Sequence, residues 1–196
     1  MSDLLITYAS SEGQTAKVAE FMAEAATEGG HSVDRRAIGD LPADPDLGSY
    51  DGVLVGASIH MGRHQKAARR FVADNAAALN ATHSAFFQVC LSSAVDEPDQ
   101  HAEAAGYIED LLAASGWEPE RVASFGGALR FSEYGFFKTR IMKAIAGEFA
   151  EAASADYEPG ADAEFTDWTE VEAFLEGFLA LVAGEAPAAP EPEAED

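Results

Sequence analysis

Basic residues are scarce in this chain: 12 Lys and Arg stand against 35 Asp and Glu, a formal net charge of −23 over 196 residues. A surface of that sign repels the phosphates of nucleic acids and the headgroups of anionic lipids, which argues against nucleic acid as a partner. Cysteine is almost absent. The single Cys90 rules out an internal disulfide framework and fits a reducing compartment. It lies in an apolar run, where it reads either as a small buried residue or as a redox or nucleophilic thiol. No apolar stretch approaches the roughly 18 to 20 residues needed to cross a bilayer. The chain also starts directly on a strand pattern, without a charged segment leading into an apolar one. These absences predict a cytoplasmic protein, at most peripheral to the inner face of the cell membrane.

Core-forming residues are not scarce. An apolar share of 47% is that of a globular protein, so the acid excess belongs on the surface of a folded domain and not to a disordered chain. It reads as adaptation to a very salty cytoplasm, where screening removes most of the self-repulsion. The length suits one domain with a full core.

Short apolar runs alternate with longer helical patterns, the signature of βαβ units and of a parallel sheet buried on both faces. Strands are predicted at Leu4–Tyr8, His31–Ile38, Gly52–Gly56, Ser84–Leu91 and Arg121–Phe125, and helices at Thr15–Glu28, Lys66–Leu79, Gln100–Ser115 and Trp168–Val182. Thr166 or Asp167 would cap the last helix. The expected fold is a doubly wound α/β domain over residues 1–183, with a five-stranded parallel sheet and helices on both faces. Residues 129–165 break the rhythm, because a connection of a few residues would suffice there. Residues 184–196 hold three prolines and five acids and read as a disordered tail.

Ser10-Ser11-Glu12-Gly13-Gln14-Thr15 separates the first strand from the first helix. In a doubly wound fold, phosphate binds at such a place, where free backbone amides converge and the helix dipole favours an anion. The Ser10, Ser11 and Thr15 hydroxyls add donors, Gly13 permits the turn, and Glu12 can point outward. There is no Gly-x-Gly-x-x-Gly and no Lys after the glycine, so neither a dinucleotide nor a nucleoside triphosphate is indicated. A monoester phosphate such as that of FMN needs neither. Two more loops end strands on the same side: Ser58-Ile59-His60-Met61-Gly62 and Leu91-Ser92-Ser93-Ala94. They are the candidate walls for a planar ring. His60 and His64 show no metal-ligand spacing and read as loop histidines, and Arg63 is either a phosphate partner or a surface charge.

Ser10, Gly13 and Thr15 match the Ser/Thr-x-x-Gly-x-Thr pattern of the flavodoxin superfamily. Gly56-Ala57-Ser58-Ile59, Gly126-Gly127-Ala128-Leu129-Arg130-Phe131, Phe137-Lys138-Thr139-Arg140-Ile141-Met142-Lys143-Ala144-Ile145 and Phe165-Thr166-Asp167-Trp168 resemble the flavodoxin-like, menaquinone-dependent protoporphyrinogen oxidases. The resemblance runs from about residue 3 to 182 and includes the long insert before the last helix. It implies FMN as cofactor, dehydrogenation of protoporphyrinogen IX to protoporphyrin IX in heme synthesis, and a quinone as electron acceptor. The chain departs from the pattern in the acids of its later insert, Glu148, Glu151, Asp156 and Glu158.

Within residues 128–147, Arg130, Lys138, Arg140 and Lys143 face the single Glu133, a local excess of three positive charges. Together with Phe137 they form either a helix that packs on the domain or a basic, aromatic element that meets a porphyrinogen or a membrane surface. The rival to an oxidase is an FMN electron carrier that serves a protein acceptor, steered by its acidic surface. A module that has lost the flavin is a third reading. Neither a catalytic base nor an oligomeric state is indicated.

Overall fold

The computed structural model describes residues 1–94, 97–129 and 162–185. Within them the chain runs β1 (Asp3–Ala9), α1 (Gln14–Glu28), β2 (Ser32–Ala37), β3 (Gly52–Ser58), α2 (Lys66–Asn80), β4 (His83–Cys90), α3 (Pro98–Ser115), β5 (Arg121–Gly126), β6 (Ala128–Leu129), β7 (Ala163–Glu164) and α4 (Trp168–Val182). Five strands pair in the order β2-β1-β3-β4-β5, all parallel. This is the expected five-stranded, doubly wound architecture.

Alternate side chains of the central strands feed two cores. On one face Leu4, Ile6, Leu54 and Phe87 pack with Val18 and Met22 of α1 and Phe174 and Phe178 of α4. On the other, Leu5, Val53, Val55 and Phe86 meet Phe71 and Val72 of α2 and Ile108 and Leu111 of α3. Such period-two sorting is what a strand's geometry imposes, and burial on both faces is why these strands read as unbroken apolar runs. Buried Trp117 joins the second core, its indole donating to Ser84 Oγ at 2.9 Å.

The chain crosses from β1 to β2 on one side of the sheet, and from β3 to β4 and β4 to β5 on the other. The carboxyl ends of β1 and β3 therefore diverge at the switch point, and a crevice opens there. Every segment singled out by the sequence leaves the sheet at this end.

Two boundaries move. Sequence reading stops β3 at Gly56, because glycine punctuates strands, yet the strand continues to Ser58. Gly56 is there for space: a Cβ on it would lie 2.2 Å from Phe87 Cζ on the neighbouring strand. The alternative caps of the last helix are also separated. Asp167 Oδ1 accepts from the amides of Thr169 and Glu170, while Thr166 turns inward to the end of β5.

Gly56→Ala is expected to lower stability by about 1–3 kcal/mol through overpacking, read as a shift in denaturant midpoint. Adding Phe87→Leu withdraws the ring, so the double variant should be more stable than the sum of the two single changes. Simple additivity would show that the close approach is not what demands glycine.

Candidate functional site

Gly13, in the left-handed region at φ 90°, precedes α1 and carries no side-chain cap. Its amide donates to Ser10 Oγ at 3.0 Å, which closes the loop on itself. The first amides of the helix have no acceptor within it, and Gln14 and Thr15 line the crevice. Thr15 is buried, and its Oγ1 has no hydrogen-bond partner. An orphaned hydroxyl at a helix N-terminus, beside the Ser10 and Ser11 hydroxyls, is the donor set a phosphate requires.

Two glutamines hold the loop in place. Gln65 Nε2 donates to Ser11 Oγ at 2.6 Å and to Ser58 Oγ at 2.8 Å, linking the loops after β1 and β3. Gln14 opens α1 instead of ending the loop, and its Nε2 donates to Thr166 Oγ1 at 2.9 Å. Thr166 in turn donates to the Gly126 carbonyl at 2.7 Å. The loop after β1 is thereby fastened to the ends of β3 and β5.

The loop after β3 is a hairpin. Ile59 bridges His64, the His60 amide donates to the Arg63 carbonyl at 2.8 Å, and the two residues at its tip, Met61 and Gly62, both have positive φ. Glycine takes that conformation freely, whereas methionine does so at a cost. Met61 is 87% exposed at the rim of the crevice, a strained and projecting apolar side chain of the kind that marks functional loops.

The crevice is a cleft of about 690 Å³, a size that suits a cofactor-sized ligand. Its end at the loop after β1 is lined by Ser10, Ser11, Glu12, Gln14 and Thr15. One wall is Ser58, Ile59, His60, Met61 and Gly62; Leu91 and Ser92 belong to the other. Gly13, Ser93 and Ala94 are the candidates that do not line it. Glu12 is half-buried against the cleft, not turned away from it.

Ser93 is engaged behind the wall, in a buried polar network. Gln88, fully buried on β4, donates from Nε2 to the Ala104 carbonyl and to Ser124 Oγ, both at 2.7 Å. Because a carbonyl only accepts, the amide orientation follows, and Gln88 Oε1 must accept from His64 Nε2 at 3.0 Å. Ser93 Oγ reaches Ser124 Oγ and, at 3.1 Å, Cys90 Sγ. Of the two readings of Cys90 the structure favours the buried one, although the residue touches the cleft floor.

His64 is no ordinary loop histidine. It is 3% exposed, and burial pushes its pKa down to about 4 against the opposing pull of the Gln88 hydrogen bond. Arg63 does not line this cleft; it lines a neighbouring cavity. Among the described residues no cluster of His, Cys, Asp or Glu is placed to hold a metal ion.

Sequence reasoning missed the contribution of α3. Gln100, Glu103 and Tyr107, three and four residues apart on one helical face, line the cleft. Glu103 accepts from Ser92 Oγ at 2.8 Å and from Tyr107 Oη at 2.7 Å. Burial, then the bond to Glu103, holds the Tyr107 hydroxyl protonated, its pKa raised to about 12. The 100/103/107 spacing was visible, but not which face of α3 would meet the cleft. Gln88 offered a better signal, as a lone amide in an apolar strand.

The segment 129–165 is pinched at its base. β6 and β7 pair antiparallel, Ala128 with Glu164 and Leu129 with Ala163. Gly127 and Ala128 line the cleft, so the chain leaves and re-enters at the cleft rim. Glu164 of β7 is anchored by Lys17 at 2.6 Å and by the Trp168 indole at 3.0 Å. Arg130, Phe137, Lys138, Arg140 and Lys143 lie outside the described residues, as does the tail beyond Glu185.

The flavodoxin domain family matches residues 5–155, and the chain belongs to that family. Within it, the relatives are oxidoreductases. Protoporphyrinogen IX dehydrogenase [quinone] of Escherichia coli K12 is 29% identical over 170 residues, 87% of this chain and 91% of that protein. The protein of the same name from Leishmania major is 31% identical over 69% of this chain and 56% of its own length. Among solved structures, a flavodoxin from Streptococcus pneumoniae TIGR4 superposes with a TM-score of 0.52 at 15% identity, over 93% of this chain and 98% of that one. Among the described residues no helix is long and apolar enough to cross a membrane.

The depressed pKa of His64 has a consequence for stability. The unfolded chain protonates this side chain near pH 6.5, whereas the folded protein resists until about pH 4. Its contribution is whole above about pH 6.5 and is lost as the pH falls to about 4, by roughly 3 kcal/mol. Chemical denaturation at pH 7 and 4.5 should show His64→Gln losing less stability between the two than the parent does. Equal losses would show that His64 is not held neutral.

Proposed function

We propose that this chain binds FMN in the cleft and oxidises protoporphyrinogen IX to protoporphyrin IX, a step of heme synthesis, passing the electrons to a quinone. One observation carries the reading. A cleft with an unpartnered, buried threonine hydroxyl at its phosphate-loop end occurs in a chain that aligns over 91% of a protoporphyrinogen IX dehydrogenase.

The FMN phosphate would be held by the Ser10, Ser11 and Thr15 hydroxyls and by the first amides of α1, charge-assisted bonds at the positive end of a helix. Gln14 and Gln65 keep those donors aimed before the ligand arrives, which spares the ordering cost. The apolar side chains of Ile59, Met61 and Leu91 would flank the ring. When bound, FMN supplies the redox chemistry, accepting hydride equivalents from the substrate and returning them to the acceptor. The Tyr107–Glu103–Ser92 chain fixes the far wall. β6 and β7 bring both ends of the excursion together at the cleft rim. Such an enzyme works in the cytoplasm or peripherally at the inner membrane face, where a quinone is within reach.

The expected experiment is anaerobic. The chain, reconstituted with FMN in high salt, should show flavin bleaching as porphyrin fluorescence appears, faster than without protein, and a menaquinone analogue should restore turnover. Tightly bound FMN that stays oxidised in the presence of porphyrinogen would identify an electron carrier instead.

Thr15→Val tests the phosphate site by opposite signs. It should weaken FMN binding about tenfold, the worth of one charge-assisted hydrogen bond. Yet it should stabilise the FMN-free protein by about 1 kcal/mol, because a buried unpaired hydroxyl is removed. Unchanged FMN affinity would place the phosphate elsewhere.

A further inference from the structure

A second cavity, of about 500 Å³, lies between α2 and α3. Its charge is opposite to that of the chain as a whole. Arg63 from the loop after β3 and Lys66, Arg69 and Arg70 from the start of α2 line it, four of the 12 basic residues of the entire chain. Asp110 is the one acid among its described lining residues.

The positive charge there is left largely uncompensated. Arg70 pairs with Asp74 at 3.2 Å. Arg69 Nε donates to the His64 carbonyl at 3.1 Å, a neutral acceptor. The side chains of Arg63 and Lys66 enter no hydrogen bond or ion pair among the described residues. Cations in the first turn of a helix also oppose its dipole, and like charges this close repel. In a chain with 35 acids, four cations gathered into one concavity, of which only Arg70 has an acidic partner among the described residues, are arranged for an anion from outside.

The cavity adjoins the cleft, since Gly62 and Tyr107 line both. Leu111 and Ala114 give it an apolar floor. The required ligand therefore carries anionic arms on an apolar body and reaches the cleft over Gly62 and Tyr107. A porphyrinogen has this form, with two propionates along one edge of an apolar macrocycle. Bilayer headgroups suit a concavity between helices less well than a flat face.

We infer that the cavity formed by Arg63, Lys66, Arg69 and Arg70 receives the propionate carboxylates of the tetrapyrrole, while its ring edge extends past Tyr107 into the flavin cleft. The inference rests on the function proposed above. Arg63 and Lys66 bind the substrate's charge, and kcat is not where they act.

The test uses the full chain reconstituted with FMN, with protoporphyrin IX and its dimethyl ester as fluorescent probes. The free acid should bind at least about tenfold tighter than the ester, and added salt should narrow that gap, as screening demands. In Arg63→Glu/Lys66→Glu, both on exposed side chains, the preference for the acid should vanish while FMN still binds. Arg36→Glu, at the β2 edge of the sheet, should keep it. With porphyrinogen as substrate, the double variant should show a raised KM.

A double variant that still prefers the acid overturns the proposal. So does one that loses binding to phosphatidylglycerol vesicles and nothing else, which would assign the cavity to lipid. Turnover by the parent chain with a KM indifferent to both substitutions removes the carboxylate site and leaves the reaction standing. An acid preference that depends on Arg63 and Lys66 in a chain without turnover supports the site and removes the reaction.

Discussion

The buried side-chain amide of Gln88 joins four parts of the molecule that would otherwise meet only through apolar contact. It accepts from His64 after β3 and donates to Ser124 on β5 and to the Ala104 carbonyl of α3. A buried amide left unpaired would cost about 1–3 kcal/mol. The hairpin carrying Met61 and the helix carrying Tyr107 are thus set relative to the sheet by polar geometry, which is directional, and not by packing alone. Both cavities are framed by these two elements.

Charge is segregated on this molecule. The acids keep the body soluble and repel other anions, while eight of its 12 basic residues fall in two stretches, 63–70 and 130–143. The first lines the cavity beside the cleft; the second belongs to the excursion that begins and ends at the cleft rim. The generic acidic surface of a carrier does not call for four cations in one cavity beside the cleft.

The strand runs, the helix stripes and the loop Ser10–Thr15 were legible because each depends on local periodicity or on a short motif. Ser58, Ile59, Leu91 and Ser92 were legible for a second reason: in a parallel sheet, every loop after a strand leaves at the same end. Other features depend on neighbours that no local pattern names. Gly56 looked like a strand end because the ring of Phe87 is 31 residues away in sequence, though beside it in space. Thr166 and Asp167 looked equivalent as caps until Gly126 and Gln14 claimed the threonine. His64 looked like a loop residue, yet it is buried against Gln88 and Phe86.

By itself the sequence determined the class of fold, the loop between the first strand and the first helix, the likeness to a family and the oddity of residues 129–165, since hydrophobic period, turn chemistry and motif spacing are written along the chain. Only the tertiary structure decided that α3 supplies a cleft wall, that β6 and β7 return the insert to the cleft rim, and that four cations share one cavity. Those outcomes depend on which helix faces and which distant strands come together. Burial and close approach are set by all the packing partners at once, so no single stretch of sequence contains them.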